Sequence, residues 1–187
     1  NRNKIKTSNG EHWLTVPVLA KLGQKIKDVE IDNTQKWKKR HFNALTQNYS
    51  KAQHFNLLSE TLDYFYSNDW QKLSELNVKL IDLMLEKLEI STKILKSSEL
   101  NIQGGSTDLI LNLCIELGAT KYLTGSGANN YLKFEDFKKK GIEIEYFDYG
   151  NVKPYKQTFH KIGFVENLSA LDIFFNCGYD WREYLTR

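Results

Sequence analysis

The sequence predicts an α/β protein with a parallel-sheet, Rossmann-like core, a helical insertion and an N-terminal β-hairpin. Short apolar, strand-like runs alternate with helical runs in the last half of the chain, an order typical of βαβ units with parallel strands. Between about residues 34 and 90, apolar residues recur instead at helical spacing. The length of 187 residues fits one domain with a sizeable core.

The N-terminal part has the pattern of β-strands. Residues 12–18 carry strand-forming apolar side chains interrupted by polar ones, and Asn9-Gly10 just before them is a turn signal. Residues 4–6 are therefore expected to pair back as a hairpin. Residues 26–31 alternate in the same way and predict a further strand.

Helical periodicity begins near Thr34, which is placed to cap a helix running to about Gln47. Two more helices are predicted over residues 51–66 and 69–88. Leucines in the last of these form a broad apolar stripe, which is typical of a helix packed on a core. The predicted order after these helices is a strand at 93–95, a helix at 106–116, a strand at 121–123, short helices to residue 140 and a strand at 142–149.

Composition excludes several function classes. The net charge of +3, from 26 basic and 23 acidic residues, is too small for a nucleic-acid-binding protein. No apolar run approaches the roughly 18 residues of a membrane helix, so no membrane insertion is expected. Cys114 and Cys177 lie among apolar residues, which predicts reduced thiols in a cytoplasmic protein. The pattern contains no metal-ligand cluster, points to no particular cofactor and leaves the oligomeric state open.

Polar segments follow the three predicted parallel strands. Glu99 and Gly104-Gly105-Ser106-Thr107 follow the first, residues 125–130 the second, and Asp148 the third. Ligands of open parallel sheets bind beyond the carboxyl ends of the strands. These segments are therefore expected to share one edge of the sheet and to form the binding site.

The two glycine segments suit an anionic ligand. Glycines allow a sharp turn, and a helix that begins at Ser106 would direct free N–H groups at a phosphate or carboxylate. Gly125-Ser126-Gly127 repeats this logic, while Asn129 adds an amide and Tyr131 a ring for stacking. The alternative is an ordinary turn followed by a helix cap. Neither segment contains the dinucleotide fingerprint or a P-loop.

Three side chains are candidates for acid–base chemistry. Asp148, at the end of an apolar strand, could act as a base or hold a sugar hydroxyl, or could simply cap a loop. Glu99 has the same two interpretations. His160 lies in a predicted loop, where it could transfer protons or be an unpaired surface histidine. The sequence spells out neither a Ser-His-Asp nor a Cys-His arrangement.

Several short segments, taken as one set, span nearly the whole chain. They are Asn1-Arg2-Asn3-Lys4-Ile5, Trp13-Leu14-Thr15-Val16-Pro17, Gly125-Ser126-Gly127 with Tyr131, Phe147-Asp148-Tyr149, Tyr155 with Gln157, and Asn167-Leu168-Ser169-Ala170-Leu171-Asp172. This set resembles the WbqC-like protein family. Residues 1–187 are accordingly expected to be a single WbqC-like domain. It is expected to be truncated at its N-terminus, because the block that precedes Asn-Arg-Asn in the family is missing.

The resemblance implies a role in O-antigen or surface-polysaccharide biosynthesis, with transfer of a glycyl or related acyl group to a nucleotide-linked amino sugar. Such a substrate would offer phosphates to the glycine segments and hydroxyls to Asn129, Asp148 and Gln157, and its amine must lose a proton to a base. The expected substrate-binding residues are Ser106, Thr107, Gly125, Ser126, Gly127, Asn129, Tyr131 and Gln157. The expected catalytic residues are Asp148, His160 and Glu99. A nucleotidyltransferase-like enzyme and a non-catalytic sugar-nucleotide-binding or scaffold protein are the alternatives.

Overall fold

The computed structural model describes residues 1–130, 132–147 and 152–185. The chain divides into two compact units. The large unit comprises Asn1–Thr92 and Lys153–Arg187, and the small unit comprises Lys93–Val152. Each unit has its own buried apolar cluster. The expectation of a single domain over the whole chain stays a prediction.

The predicted N-terminal hairpin is confirmed. Strands β1 (Arg2–Thr7) and β2 (Gly10–Thr15) pair antiparallel, with Thr7 opposite Gly10. The Thr7 hydroxyl closes the turn, since it accepts from the Asn9 N–H at 3.2 Å and donates to the Gly10 carbonyl at 3.0 Å. The Asn-Gly signal thus located the turn correctly.

The strand predicted over residues 26–31 is correct only at its end. Strands β3 (Val18–Leu19) and β4 (Glu30–Ile31) pair antiparallel, and a 3₁₀ turn occupies Ile26–Asp28. Only the second half of the segment is anchored, because Val29 and Ile31 are buried whereas Ile26 is 69% exposed. The apolar alternation therefore did not correspond to one buried face.

The described part of the large unit also contains the α-helices α1 (Trp37–Tyr49), α2 (Asn56–Ser67), α3 (Leu73–Lys87) and, near the end of the chain, α6 (Ala170–Cys177). The first helix begins after Thr34, because the Asp32 carboxylate accepts from both the backbone N–H and the hydroxyl of Thr34 and closes a turn there. Leu45 of α1, Leu58 of α2 and Phe174 of α6 are fully buried in one cluster. None of the helices in the described ranges is long and apolar enough to cross a membrane.

The small unit contains α4 (Ser106–Glu116), β5 (Lys121–Thr124), α5 (Phe134–Lys139) and β6 (Glu143–Tyr146). Strands β5 and β6 run parallel, as predicted. Phe137 of α5 is fully buried and stacks on Tyr122 of β5. This strand–helix–strand unit and α4 surround a separate apolar cluster.

The α/β class is confirmed, but an extended Rossmann-like core is not. Parallel pairing among the described residues is limited to β5 and β6. The strand predicted at residues 93–95 is absent, since the segment has no regular structure. Ile94 and Leu95 are 43% and 47% exposed, so burial does not hold this segment against a sheet.

Candidate functional site

A cleft of about 940 Å³ opens on the large unit. Polar and basic side chains dominate its lining, which comprises the lysines Lys51, Lys156 and Lys161, the amides Gln47, Asn48, Gln53, Gln157 and Asn176, the hydroxyl residues Ser8, Thr158 and Tyr184, and also Ala52, Phe159, His160, Ile162 and Cys177. None of these lining residues is acidic. The volume lies within the roughly 300–1,000 Å³ of small-molecule sites.

Two helix ends and one segment that includes a 3₁₀ turn over His160–Ile162 build the cleft. Asn48 near the end of α1 and Asn176 near the end of α6 both line it, and these helices pack together through the rings of Tyr49 and Phe175, whose centroids are 5.0 Å apart. Residues 156–162 form a third side. The aromatic packing of α1 on α6 thus brings distant amide side chains to one opening.

The segment 156–163 is held by side chains at several points. The backbone N–H of Thr158 donates to Asn176 Oδ1 at 3.1 Å, and Lys6 Nζ donates to the Gly163 carbonyl at 2.5 Å. Between these anchors Phe159 has a φ of 54°, which is the left-handed region that bulky side chains rarely adopt. Such a conformation persists only where neighbouring contacts impose it, so this side of the cleft is preorganised.

A buried hydrogen-bond network lies behind the cleft. The fully buried carboxylate of Asp172 accepts from Tyr49 Oη and Tyr155 Oη, each at 2.7 Å, and from Gln157 Nε2 at 2.9 Å. Gln157 Oε1 in turn accepts from the fully buried ammonium of Lys6 at 2.9 Å. Gln157 therefore bridges the buried Lys6 and Asp172 side chains and also lines the cleft.

Burial shifts the pKa values of the ionisable side chains in this network. Burial, reinforced by the negative charge of Asp172, raises the pKa of Tyr49 and of Tyr155 above that of a free phenol. Both phenols therefore stay neutral and donate their hydrogens to Asp172. Burial lowers the pKa of Lys6, while attraction to Asp172 opposes this change.

The cleft also contains a thiol, on Cys177. Burial, with the negative charges of Asp172 and Asp180, raises the pKa of Cys177 to about 11. Since the thiolate is the reactive form of cysteine, this thiol is protonated and unreactive near neutral pH. His160 is an exposed imidazole in the same lining, and histidine is the side chain that most often transfers protons in enzymes.

The predicted site residues fall into both units. Gln157 and His160 line the same cleft of the large unit. Glu99 lies in the small unit, where its exposed carboxylate is 2.5 Å from the ammonium of Lys96. Asp148 and Tyr131 lie outside the described residues, as do the side chains of Ser106 and Asn129.

The two glycine segments lie in the small unit, but the strand predicted to precede the first of them is absent. Helix α4 begins at Ser106 directly after Gly105, and a 3₁₀ helix over Ser126–Asn130 follows β5. Thr107 is buried, whereas Ser126 is exposed. The helix after Gly105 and the strand before Gly125 thus lie where they were predicted, and ligand binding by both segments stays a prediction.

The fold needs glycine at one position of these segments but not at another. Gly104 has a φ of 129°, and an added Cβ would lie 3.0 Å from the backbone nitrogen of Leu109. At Gly127, where φ is not in the left-handed region, an added Cβ would meet nothing within 4 Å. The local backbone conformation thus requires glycine at position 104, whereas the backbone at Gly127 is accessible from outside.

Sequence reasoning missed Lys6, Tyr49 and Asp172 as parts of the site. One local signal was present, since Asp172 interrupts the otherwise apolar run Leu171–Phe175. A lone carboxylate in such a run is buried and must find hydrogen-bond donors. Within the described ranges, no group of three or more His, Cys, Asp or Glu side chains is arranged to hold a metal ion.

Comparison with known proteins identifies the family. A family model of the WbqC-like protein family matches residues 1–184. The chain belongs to this family. The WbqC-like chain is also 38% identical to the uncharacterized protein Rv1507c of Mycobacterium tuberculosis over 188 residues, which cover 99% of this chain and 80% of that protein. No solved structure shows a significant match. Family membership suggests a role in a polysaccharide-associated pathway.

Proposed function

We propose that the chain is a transferase of surface-polysaccharide (O-antigen) biosynthesis that transfers a glycyl or other acyl group to a nucleotide-linked amino sugar. In this proposal the cleft of the large unit binds the sugar nucleotide. Membership of the WbqC-like family supports the pathway, and the composition of the cleft supports the substrate class.

The observation that carries the proposal is the charge of the cleft. Lys51, Lys156 and Lys161 line it, and no carboxylate among the described residues does. A lining of this kind favours an anion, and its many amides and hydroxyls favour a ligand rich in hydroxyl groups. A nucleotide-linked sugar combines both properties in one molecule.

The side chains divide between recognition and chemistry. The lysines contact the diphosphate, and the amides of Gln47 and Gln53 hydrogen-bond the sugar. Gln157 instead positions the wall of the cleft, because its amide is already bonded to Lys6, Val165 and Asp172. The amine of the sugar attacks the carbonyl carbon of the activated acyl donor. His160 accepts the proton that this amine loses, and the leaving group of the donor departs as the amide bond forms. General-base catalysis of this kind contributes typically 10²–10⁴-fold to the rate.

The glycine loops of the small unit keep a role in the proposal. Gly125, Ser126, Gly127 and Asn129 are proposed to bind an anionic ligand within the small unit, as are Ser106 and Thr107. The open backbone at Gly127 supports this assignment, because a ligand can approach it closely. Asp148 and Glu99 stay predicted candidates for acid–base chemistry within the small unit.

Binding is tested first, by thermal denaturation with a panel of UDP- and dTDP-linked hexoses and amino hexoses. A ligand at about 100 times its Kd should stabilise the protein by about 2.7 kcal/mol. Lys161→Met should weaken binding about tenfold, on the scale of one hydrogen bond to a charged group. Lys79→Met, exposed on α3 outside the cleft, is the charge-matched control and should bind as the wild type does. Failure of every nucleotide to stabilise the wild type would reject the substrate class.

Turnover is tested separately, with an activated glycyl or acyl donor and the amino hexose nucleotide found in the binding screen. His160→Gln should keep the affinity for the nucleotide and lower the rate at least 100-fold, the lower limit for loss of a general base. His12→Gln, on the exposed strand β2, is the matched control. Equal rates for wild type and His160→Gln would remove His160 from the chemistry while leaving the binding proposal intact.

A non-catalytic sugar-nucleotide-binding protein is the second candidate. The protonated thiol of Cys177 and the acid-free lining favour it, because the lining then offers neither a thiolate nor a carboxylate for catalysis. Tight binding without turnover for any donor would support this candidate. Release of pyrophosphate from a nucleoside triphosphate would instead support a nucleotidyltransferase-like enzyme.

A further inference from the structure

The loop between β3 and β4 combines a buried base with an exposed tip. We name residues 20–28 the Leu22 loop. Its base is fixed by the pairing of Leu19 with Glu30 and by Val29 and Ile31, which are 7% and 4% exposed within an apolar cluster of the large unit. The loop is therefore attached to the core at both ends, and its conformation is not that of a free chain.

The tip of the Leu22 loop presents apolar side chains to solvent. Leu22 is 108% exposed relative to a reference residue, Ile26 is 69% exposed and the adjoining Leu19 is 59% exposed. Scattered single apolar residues on a surface are ordinary, but three within eight residues make a concentrated patch. Leu22 and Ile26 therefore do not contribute to the packing of the described part of the chain.

Local hydrogen bonds hold this tip in place. The N–H of Gln24 donates to the Lys21 carbonyl at 3.1 Å across a turn in which Gly23 has a φ of 79°, as the third residue of a type II turn requires. The Gln24 side chain accepts from the Lys21 N–H at 3.0 Å and donates to the Asp28 carbonyl at 2.9 Å. Leu22 is thereby fixed at the outermost position of the loop.

Exposed lysines flank the apolar residues of the tip along the chain. Lys21, Lys25 and Lys27 are all exposed, and no ion pair in the described part of the chain involves them. Asp28 is the opposing charge within the loop, so three positive charges against one negative charge leave it with +2. The neighbouring Glu30 is already paired with Lys72 at 3.0 Å. A partner that matches this loop must offer negative charge around an apolar interior.

The geometry points to the surface of an anionic lipid membrane as that partner. Leu22 and Ile26 would enter the boundary between headgroups and acyl chains, while the three lysines contact lipid phosphates. The flexible stems of lysine allow their ammonium groups to stay at headgroup level beside inserted apolar residues. Docking of this type is shallow and needs no membrane-spanning helix. The inference does not depend on the proposed transferase activity.

Vesicle co-sedimentation of the whole chain tests the inference. Vesicles with equal parts of phosphatidylglycerol and phosphatidylcholine should bind it at least about tenfold more tightly than phosphatidylcholine alone, given the contribution of each lysine near an anionic surface. The preference should decrease as salt is raised. Equal binding to both vesicle types, or binding to neither, would overturn the inference.

Matched variants locate the contact. Leu22→Ser/Ile26→Ser should weaken binding to anionic vesicles about tenfold or more, and Lys21→Gln/Lys25→Gln/Lys27→Gln should weaken it roughly 100-fold. The controls are Ile81→Ser, which is 48% exposed on α3, and a charge-matched triple of Lys39→Gln, Lys79→Gln and Lys138→Gln. Controls that lose as much binding as the loop variants would show a contact elsewhere.

A second measurement reports how deeply the tip of the Leu22 loop inserts into the membrane. Cys114 and Cys177 are both buried, so a polarity-sensitive dye can be attached selectively to Leu22→Cys, with Ile81→Cys as the control. Anionic vesicles should shift the emission of the dye to shorter wavelength at position 22 and leave it unchanged at position 81. Light scattering of Leu22→Ser/Ile26→Ser tests the alternative partner of the loop, a second copy of the chain. A change of oligomeric state with vesicle binding retained would assign the loop to a second copy of the chain and overturn the inference.

Discussion

The cleft of the large unit and the glycine segments of the small unit are built over very different sequence distances. Lys6 and Gln157, which contact each other behind the cleft, are 151 residues apart, and Tyr49 and Asp172 are 123 residues apart. In the small unit, Gly104 closely approaches Leu109, and the Ala128 N–H donates to the Gly125 carbonyl. The cleft depends on the whole fold of its unit, whereas each glycine segment depends on a few consecutive residues.

This difference explains where substitutions should have the largest effects. A network of long-range hydrogen bonds in a low-dielectric interior is costly to leave incomplete. A substitution in a local turn affects only the contacts and the backbone strain of that turn. Substitutions in the network are therefore expected to affect the stability of the large unit more than substitutions in the glycine segments affect the small unit.

The largest effect is expected for Asp172→Ala. It leaves the hydroxyls of Tyr49 and Tyr155 without their acceptor and the buried ammonium of Lys6 without an opposing charge, which should cost about 3–5 kcal/mol in the free energy of unfolding. Urea denaturation measures the change. Asp63→Ala, exposed on α2, is the control and should stay within about 0.5 kcal/mol. A cost below about 1 kcal/mol for Asp172→Ala would remove the distinction between the two regions.

A smaller effect is expected for Gly104→Ala in the small unit. Alanine would be strained at a φ of 129°, and its Cβ would crowd the first turn of α4. Strain of this type costs of order 1–3 kcal/mol. Hydrogen exchange of the α4 amides should detect the loss locally, and the amides of α1 should exchange as in the wild type. Faster exchange in α1 as well would show that the glycine segment does not act locally.

The next test is the pH dependence of the free energy of unfolding, to which the buried phenol of Tyr49 contributes. The pKa of Tyr49 is raised in the folded state, so the unfolded chain, whose phenol titrates near pH 10, binds fewer protons above that pH. The free energy of unfolding therefore falls as the pH rises, and this contribution is fully present below about pH 9. Tyr49→Phe should reduce the loss between about pH 9 and about pH 11 by about 1.4 kcal/mol.

Urea denaturation at several alkaline pH values measures this slope. Tyr64→Phe, 66% exposed on α2, is the matched control. The Tyr49→Phe protein is expected to be less stable at neutral pH, because Asp172 loses a donor, and yet to lose less stability on going alkaline. Parallel curves for the variant and the wild type would contradict the assignment of the buried phenol.

The smallest effect on stability is expected for Gly127→Ala. An added Cβ meets nothing within 4 Å, so the free energy of unfolding should change by less than about 0.5 kcal/mol. Nucleotide titration then sharpens the comparison. Weaker binding with unchanged stability would support a ligand contact at this glycine, and unchanged binding would leave the loop as a simple connection.

Local signals predicted much of the fold. The Asn9-Gly10 turn gave the hairpin, and the start of α4 at Ser106 followed from the preceding glycines. The parallel pairing of β5 and β6 followed from the strand–helix–strand order. The prediction of a strand at residues 93–95 was wrong. Strand formation depends on burial against neighbouring segments, and a local pattern does not reveal those neighbours. Of the candidate site, Gln157 and His160 were named, but their common cleft was not.

The sequence by itself determined the class of the protein, its family, the positions of most helices and the two glycine segments. These features depend on neighbouring residues or on a set of short motifs, which can be read without coordinates. Only the tertiary structure decided that Lys6, Tyr49, Gln157 and Asp172 form one buried network behind a basic cleft. It also decided that Leu22 and Ile26 face solvent. The physical reason is that burial and long-range hydrogen bonds arise from packing between segments far apart in the chain, and packing assigns each side chain its charge state and its partner.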